Sequence, residues 1–238
     1  YLHCPEQYRL YYIEKLRLRR PAASLVFGQV MHGALAGFLR SGEDAVQLFL
    51  DAWTEAKQLD LTFSARESWD GLHKIGQLLL EQFLRDEHRR LTAILTVEKP
   101  FRLTVTGLAV PFVGIIDLVA ELDGKATVID FKTANSRYEA HEVLLSDQLT
   151  AYQLAQPESV QTALCVLLKT KQPSIDWHKA AHHREHLSEY LGKVALVAHE
   201  IAARHFYRRP GKWCTWCDYL PVCTGDRRKA EETLTKVR

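Results

Sequence analysis

The sequence predicts an α/β fold: a mixed β-sheet flanked by helices, with a helical N-terminal portion and a C-terminal cysteine loop. Three observations predict it. Before residue 93, apolar residues recur at helical spacing, as in "SLVFGQVMHGALAGFLR". From Ile94 the pattern changes to β-rich runs: "ILTVEKPFRLTVT", "LAVPFVGIIDLVAEL" and "KATVIDFKTA". A helical stretch then separates these runs from the apolar "VQTALCVLLK", as in a crossover to a further strand.

The elements follow in order. A helix runs through the "SLVFGQ" segment with Ser24 as its N-cap, and further helices lie near 43–59 and 69–91. The three β-rich runs form an antiparallel meander. Asp123-Gly124 is a strong two-residue hairpin signal, and its register sets Asp117 opposite Asp130 and Ile115 opposite Lys132. "VTGL" suggests a second turn at Thr106-Gly107, which sets Glu98 opposite Ile115, and Pro111 favours a bulge in the middle strand. A helix over 143–156, two strands ("VQTALCVLLK" and "SIDWHK") and a long helix over 182–207 complete the core. "DRRKAEETLTKVR" reads as an exposed, partly disordered helical tail. No repeat, low-complexity segment or linker interrupts the chain. The expectation is one domain over 1–238, with a helical part (1–93), a sheet core (94–180) and a closing part (181–238).

With 238 residues, 47% of them hydrophobic and 25% charged, the composition is that of an ordinary soluble globular protein. No apolar run has the length of a membrane span, and the first residues do not read as a signal peptide, so a cytoplasmic location is expected. The start at Tyr1 rather than Met leaves room for an upstream segment. Net charge is +2, unevenly spread: six Lys/Arg against two Asp/Glu in residues 1–40, and nine against four in 204–238. Two basic ends suit a phosphate backbone, and the acidic centre suits cations; solvated surface charge is the plainer alternative.

Five cysteines are too few and too unevenly placed for a disulfide scaffold. Cys165 lies in an apolar strand and reads as a small buried hydrophobe. Cys214, Cys217 and Cys223 crowd into "CTWCDYLPVC", and a four-thiolate site would leave Cys4 as the remaining ligand. Such a site would pin one end of the chain to the other.

Alternation along the strands puts Glu98, Asp117, Asp130 and Lys132 on one face. Carboxylates directly opposite one another repel. A hard divalent cation such as Mg²⁺ would compensate, while Lys132 could orient a water or stabilise charge on a phosphoryl group. A single D-x-K on a strand is commonplace; the convergence of three acids and a lysine is not.

These residues resemble the PD-(D/E)XK nucleases. "GIID" followed by "VIDFKTA" is similar to that family's second and third motifs, with Asp117, Asp130 and Lys132 in its catalytic positions. More narrowly, the chain resembles the RecB-type branch, which includes CRISPR-associated nucleases. His32 in "FGQVMHGAL" matches its early-helix histidine, Glu98 in "TVEKPF" its glutamate, and Gln148 and Tyr152 in "DQLTAYQLA" its Gln-x-x-x-Tyr helix. Cys4 and the later three cysteines match members that carry a 4Fe-4S cluster. The likeness spans nearly the whole chain.

The resemblance implies a restriction-endonuclease-like core and a metal-dependent DNA nuclease, expected to be a single-strand-preferring exonuclease in repair or recombination. It implies Mg²⁺ or Mn²⁺ held by Asp117, Asp130, His32 and the Phe131 carbonyl, with Glu98, Lys132, Gln148 and Tyr152 as catalytic residues. It implies a 4Fe-4S cluster on Cys4, Cys214, Cys217 and Cys223, zinc being the alternative; Trp213 and Trp216 would shield it. Arg17, Arg19, Arg20, Arg208, Arg209 and Lys212 would line a path for a DNA strand. The alternative function is a nuclease-like module that grips DNA ends without cutting, or the nuclease part of a larger helicase assembly. The sequence carries no G-x-x-x-x-G-K-[ST] loop, so a motor would come from elsewhere.

Overall fold

The computed structural model describes residues 1–105, 108 and 110–237. In chain order it contains α1 (Pro5–Tyr8), a π-helical turn (Arg9–Ile13), β1 (Leu16–Leu18), α2 (Ala23–Ser41), α3 (Ala45–Glu55), α4 (Trp69–Gln82), β2 (Leu91–Leu103), β3 (Phe112–Leu122) and β4 (Lys125–Ala134). Then come α5 (Ala140–Leu144), α6 (Asp147–Ala155), β5 (Gln161–Leu168), β6 (Ser174–Ala180), α7 (Arg184–Ala202), α8 (Leu220–Thr224), α9 (Arg227–Thr233) and β7 (Leu234–Lys236). The chain forms two compact units. A sheet unit comprises Ala22–Gln58 and Phe63–Leu191; a cysteine unit comprises Tyr1–Pro21, Leu59–Thr62 and Gly192–Arg238.

The sheet unit is built on five strands in the order β2-β3-β4-β5-β6, antiparallel except for β4 and β5. The expected meander and crossover are therefore present. The crossover is two helices rather than one over 143–156. Its break falls where Ser146 leaves helical geometry and caps α6 by accepting from the Leu149 N–H. The β3–β4 hairpin has the expected register, with Leu122 facing Lys125 and Leu118 facing Ile129. Asp123 (φ 52°) and Gly124 (φ 76°) both take the left-handed conformation that a type I′ turn requires.

The β2–β3 register differs from expectation. Pro100, not Glu98, faces Ile115. The turn expected at Thr106-Gly107 lies outside the described residues. The irregularities fall between Leu91 and Ala93 and between Ile94 and Thr96, whereas Pro111 precedes β3 instead of bulging it. A shift of two residues preserves which face each side chain takes.

The helices meet the expected spans with local corrections. Ser24 lies inside α2; the N-cap is Ala22, with no side-chain cap. Gly42, at φ 74°, ends the helix in the left-handed conformation. Asp44 caps α3 by accepting from the Val46 and Gln47 N–H groups. Residues 69–90 stay helical, but after α4 the coil widens to a π turn and then tightens. Phe27, Met31 and Leu35 of α2 are fully buried, as are Phe49 and Trp53 of α3. The Phe27 ring stands edge-on to Trp53 at 5.7 Å. A Cβ on Gly76 would lie 2.1 Å from the Phe49 ring, so only glycine lets α4 approach so closely.

Asp123 ties the hairpin to its neighbours. It accepts from Arg90 (2.8 Å) and from Lys179 (2.7 Å). These bonds, Arg90 first, hold its carboxyl well below the usual range. A depressed carboxyl pKa stabilises the fold above the unfolded value and loses that stabilisation as pH falls. The group is partly exposed, so screening limits the effect. Asp123→Asn, which tolerates the turn geometry, is expected to cost on the order of 1 kcal/mol at neutral pH. The difference from wild type should shrink below pH ~4 in denaturant titrations.

The cysteine unit contains β1 paired antiparallel with β7, Leu16 opposite Lys236 and Leu18 opposite Leu234. The C-terminal segment is thus α9 followed by a strand, not a loose helical tail. Leu234 is buried with Leu10 and Tyr219, and this apolar cluster is the physical reason the segment is held. The Tyr219 hydroxyl donates to the Leu16 carbonyl at 2.9 Å. Among the described residues, no helix is long and apolar enough to cross a membrane.

Candidate active site

The site sits where the sheet forks. The β3–β4 ladder ends at Leu118 and Ile129. Asp117 and Asp130 would be its next rung. Instead β3 continues alongside β2 while β4 stays paired with β5 through Ala134. In the gap, Asp117 Oδ2 accepts the Phe131 backbone N–H at 3.0 Å, taking the place of a ladder carbonyl. The fork lets two opposed carboxylates share a face without direct contact.

Asp130 is 1% exposed, and neither of its carboxylate oxygens has an aligned hydrogen bond. Lys132 Nζ lies 2.6 Å from its Oδ2, a close ion pair without hydrogen-bond geometry. Burial pushes the Asp130 carboxyl up to about 6; the charge and close approach of Lys132 pull it down, and Asp117 pushes it up. Lys132 Nζ also donates to Gln148 Oε1 at 2.8 Å, and Gln148 Nε2 donates to the Tyr152 hydroxyl at 2.7 Å. Burial holds the Tyr152 phenol at about 12, so it stays protonated; the Gln148 bond lowers it, and Asp130 and Asp117 raise it. The spacing of four residues puts Gln148 and Tyr152 on one face of α6. The helix thereby carries a two-link brace for the lysine.

His32, on α2, is half-buried, with Nδ1 3.5 Å from Asp117 Oδ2 and its ring edge-on to Phe131. Glu98 departs from the expected arrangement. It has φ 49° in the middle of β2, and its carboxylate pairs with Arg40 rather than with the two aspartates. A left-handed glutamate is strained, and such strain persists only where surrounding contacts fix it. Glu98 nevertheless lines the same cavity as His32, Phe131 and Lys132, a space of about 740 Å³. Among the described residues, no three His, Cys, Asp or Glu side chains stand assembled as a cation cage.

Lys169 was not picked out by sequence reasoning, yet it lines this cavity too. It follows the apolar run of β5, at the carboxyl end of a strand parallel to β4, where α/β sheets bind their ligands. That position was the available signal. Its Nζ is 3.0 Å from Glu67 Oε1 and 5.5 Å from the Phe27 ring. Both partners are nearly buried. Lys169→Met alone strands the Glu67 carboxylate and is expected to cost about 3–5 kcal/mol. Adding Glu67→Leu should restore most of that loss in equilibrium unfolding.

In the cysteine unit, Cys4, Cys214, Cys217 and Cys223 line one cavity of about 600 Å³, with Trp213, Trp216, Arg208 and Arg209. Burial raises the Cys217 and Cys223 thiols, and neighbouring cysteines raise them further. The four are not drawn together into a closed cage. Trp216 is 77% exposed, so only part of its ring covers the cavity. Arg20 pairs with Asp60, and Arg19 donates to the Glu231 carbonyl. Cys165 is fully buried in β5, as expected of a packing residue.

The fold is an α/β protein with a five-stranded mixed sheet whose fork carries Asp117, Asp130 and Lys132. The family model described as the PD-(D/E)XK nuclease superfamily matches residues 1–224, and the chain belongs to that superfamily. It is accordingly a hydrolase acting on nucleic acid, of a class that generally uses Mg²⁺ or Mn²⁺. Among solved structures, the chain is similar to a provisionally named exonuclease from Eubacterium rectale, at 11% identity and a TM-score of 0.51, covering 81% of this chain and 74% of that one. It is also similar to a protein designated SSO0001, at 17% identity and a TM-score of 0.43, covering 86% and 85%. No curated protein sequence matches the chain.

Proposed function

We propose that this chain is a Mg²⁺- or Mn²⁺-dependent deoxyribonuclease of the RecB-type, CRISPR-associated branch, acting as an exonuclease that prefers single-stranded ends in DNA repair or recombination. The observation that carries the reading is Asp130: a carboxylate buried in the sheet fork, whose one close partner among the described residues is the braced Lys132. A carboxylate taken out of water needs compensation. The donor set fits a hard cation, since Asp117 and Asp130 offer oxygen ligands with His32 beside Asp117, and the Phe131 carbonyl would add a further oxygen. When bound, such an ion would offset the carboxylates and the charge that builds on phosphoryl oxygens.

The chain's own groups do the rest. Lys132 presents its ammonium at the fork, where it orients the attacking water and stabilises the phosphoryl oxygens. Gln148 holds the lysine in place, and the protonated Tyr152 holds Gln148. Glu98, fixed by Arg40, takes an outer position in which it acts through water. Gln148→Leu removes the brace but not the charge. It is expected to lower kcat by roughly tenfold with KM little changed, as measured in steady-state cleavage assays.

Four soft thiols on one cavity suit a 4Fe-4S cluster on Cys4, Cys214, Cys217 and Cys223, or zinc on the same ligands. The cluster is structural in this reading, and a helicase or other DNA-processing protein supplies any unwinding. The test of the function is incubation with end-labelled single- and double-stranded DNA, with Mg²⁺, with Mn²⁺ and with EDTA. Metal-dependent shortening from one end of single strands is the expected result. No cutting under any condition by protein with its metal content verified would sink the reading.

A further inference from the structure

The cysteine unit carries a feature that the cleavage chemistry does not use. Its sequence holds fifteen Lys/Arg against eight Asp/Glu, a net charge of +7, in a protein whose total is +2. The segment "YRLYYI" folds into a helix that widens to a π turn over Arg9–Ile13. π turns are rare and often mark functional sites. Here the widened coil presents Tyr11 and Tyr12 side by side at the surface, 39% and 62% exposed.

The rings form a continuous array. Tyr8 and Tyr12 have centroids 4.7 Å apart, Tyr11 and Tyr12 4.7 Å, and Tyr1 and Tyr8 5.8 Å. Together with Cys4 and Gln7 these four tyrosines line a notch of about 220 Å³. That is small for an organic ligand of drug size, but open enough for one planar ring. The Arg17 guanidinium lies 3.4 Å from the centroid of the Tyr11 ring and donates to the Tyr11 and Leu16 carbonyls. Neutral acceptors leave its charge available to an anion. Exposed aromatic faces beside an arginine with no carboxylate partner among the described residues, in a strongly basic unit, match one ligand chemistry: a planar base attached to phosphate.

We infer that the tyrosine notch is a stacking site for an unpaired nucleobase of a single-stranded nucleic acid, with Arg17 contacting the adjoining phosphate. The inference rests on the nucleic-acid reading above and supplies its strand preference with a physical source. Within a duplex the bases stack on one another, and only the terminal pairs keep a free face, so along its length a duplex offers Tyr12 nothing to stack on. Every base has such a face, so the site discriminates strandedness and not sequence.

The test is equilibrium binding of fluorescent oligonucleotides, one DNA and one RNA single strand and one blunt duplex, in EDTA at fixed salt. Tyr12→Ala is expected to weaken single-strand binding by about tenfold, leave duplex binding unchanged, and be rescued by Tyr12→Phe. Whichever single strand shows the loss identifies the sugar. Because Tyr12 is largely exposed, its removal should leave the melting temperature in place. Quenching of a fluorescent base analogue in the oligonucleotide gives a second readout in the unmutated chain. Wild-type protein that cuts DNA while Tyr12→Ala binds single strands as tightly as wild type, with no quenching, overturns the stacking site and leaves the nuclease standing. Protein that cuts nothing, but loses single-strand binding with Tyr12→Ala, overturns the nuclease reading and supports the site.

Discussion

Asp130→Asn should abolish cleavage while leaving the protein as stable as wild type or more so. Two effects of the same carboxylate act in opposite directions. In the fold, Asp130 is a charge held out of water with no aligned hydrogen bond, and burial drives its carboxyl up to about 6. Asparagine has the same shape without the charge, so the fold loses a burden. The proposed chemistry loses a negatively charged ligand, for which the neutral amide oxygen is a weak substitute, and the charged partner of Lys132. Removing one such electrostatic element typically costs about 10²–10³ in kcat, and the loss should be larger where it also empties a cation site. Cleavage of labelled DNA gives the first quantity, and thermal or chemical unfolding the second. A variant that cuts normally would remove Asp130 from the mechanism. One that fails to fold would show that the Lys132–Asp130 pair serves the sheet and not the site.

The second large effect belongs to the cysteine unit. Cys217→Ser is expected to abolish bound iron and its visible absorbance, and to open the cysteine unit to proteases while the sheet unit stays resistant. Cys217 packs against the Leu10–Tyr219–Leu234 cluster, and Cys4, its proposed co-ligand on the same cavity, lies some two hundred residues away in sequence. A tie between segments so distant would remove much freedom from the unfolded state, about 5 kcal/mol by the loop-closure scale used for disulfides. Metal and sulfide analysis separates the occupants: iron with matching sulfide supports the cluster, and zinc without sulfide supports the alternative. Metal-free wild-type protein whose cysteine unit resists proteases as before would refute the staple altogether.

What was legible follows from how locally each feature is encoded. The Asp-Gly turn sets the β3–β4 register, and through it the places of Asp117 and Asp130 just beyond the last rung, with Lys132 beside Asp130. A two-residue turn leaves little freedom, so counting outward from it was reliable. The β2–β3 register was two residues off because its inferred turn had no such constraint. Glu98 was placed on the proper strand, but its left-handed backbone and its pairing with Arg40 leave no trace in alternation. Lys169 and Glu67 are separated by about a hundred residues, and only folding brings them together. The β1–β7 pair escaped notice because three-residue strands show no periodicity. The gathering of Cys4 with the later cysteines on one cavity followed from simple ligand counting.

The pairing of β1 with β7 also sets an order of events during synthesis. Leu16–Leu18 is made early, but its partner Leu234–Lys236 is among the last residues of this sequence to leave the ribosome. Domains tend to fold as their chain emerges, and contacts between distant residues form slowly. All of Asp117, Asp130, Lys132 and Gln148 lie within the sheet unit, which ends at Leu191. These four residues are therefore all synthesised before the strand that pairs with β1. In the reading proposed above, the residues assigned to cleavage are thus complete in the chain before the segment assigned to base stacking gains its β7 partner.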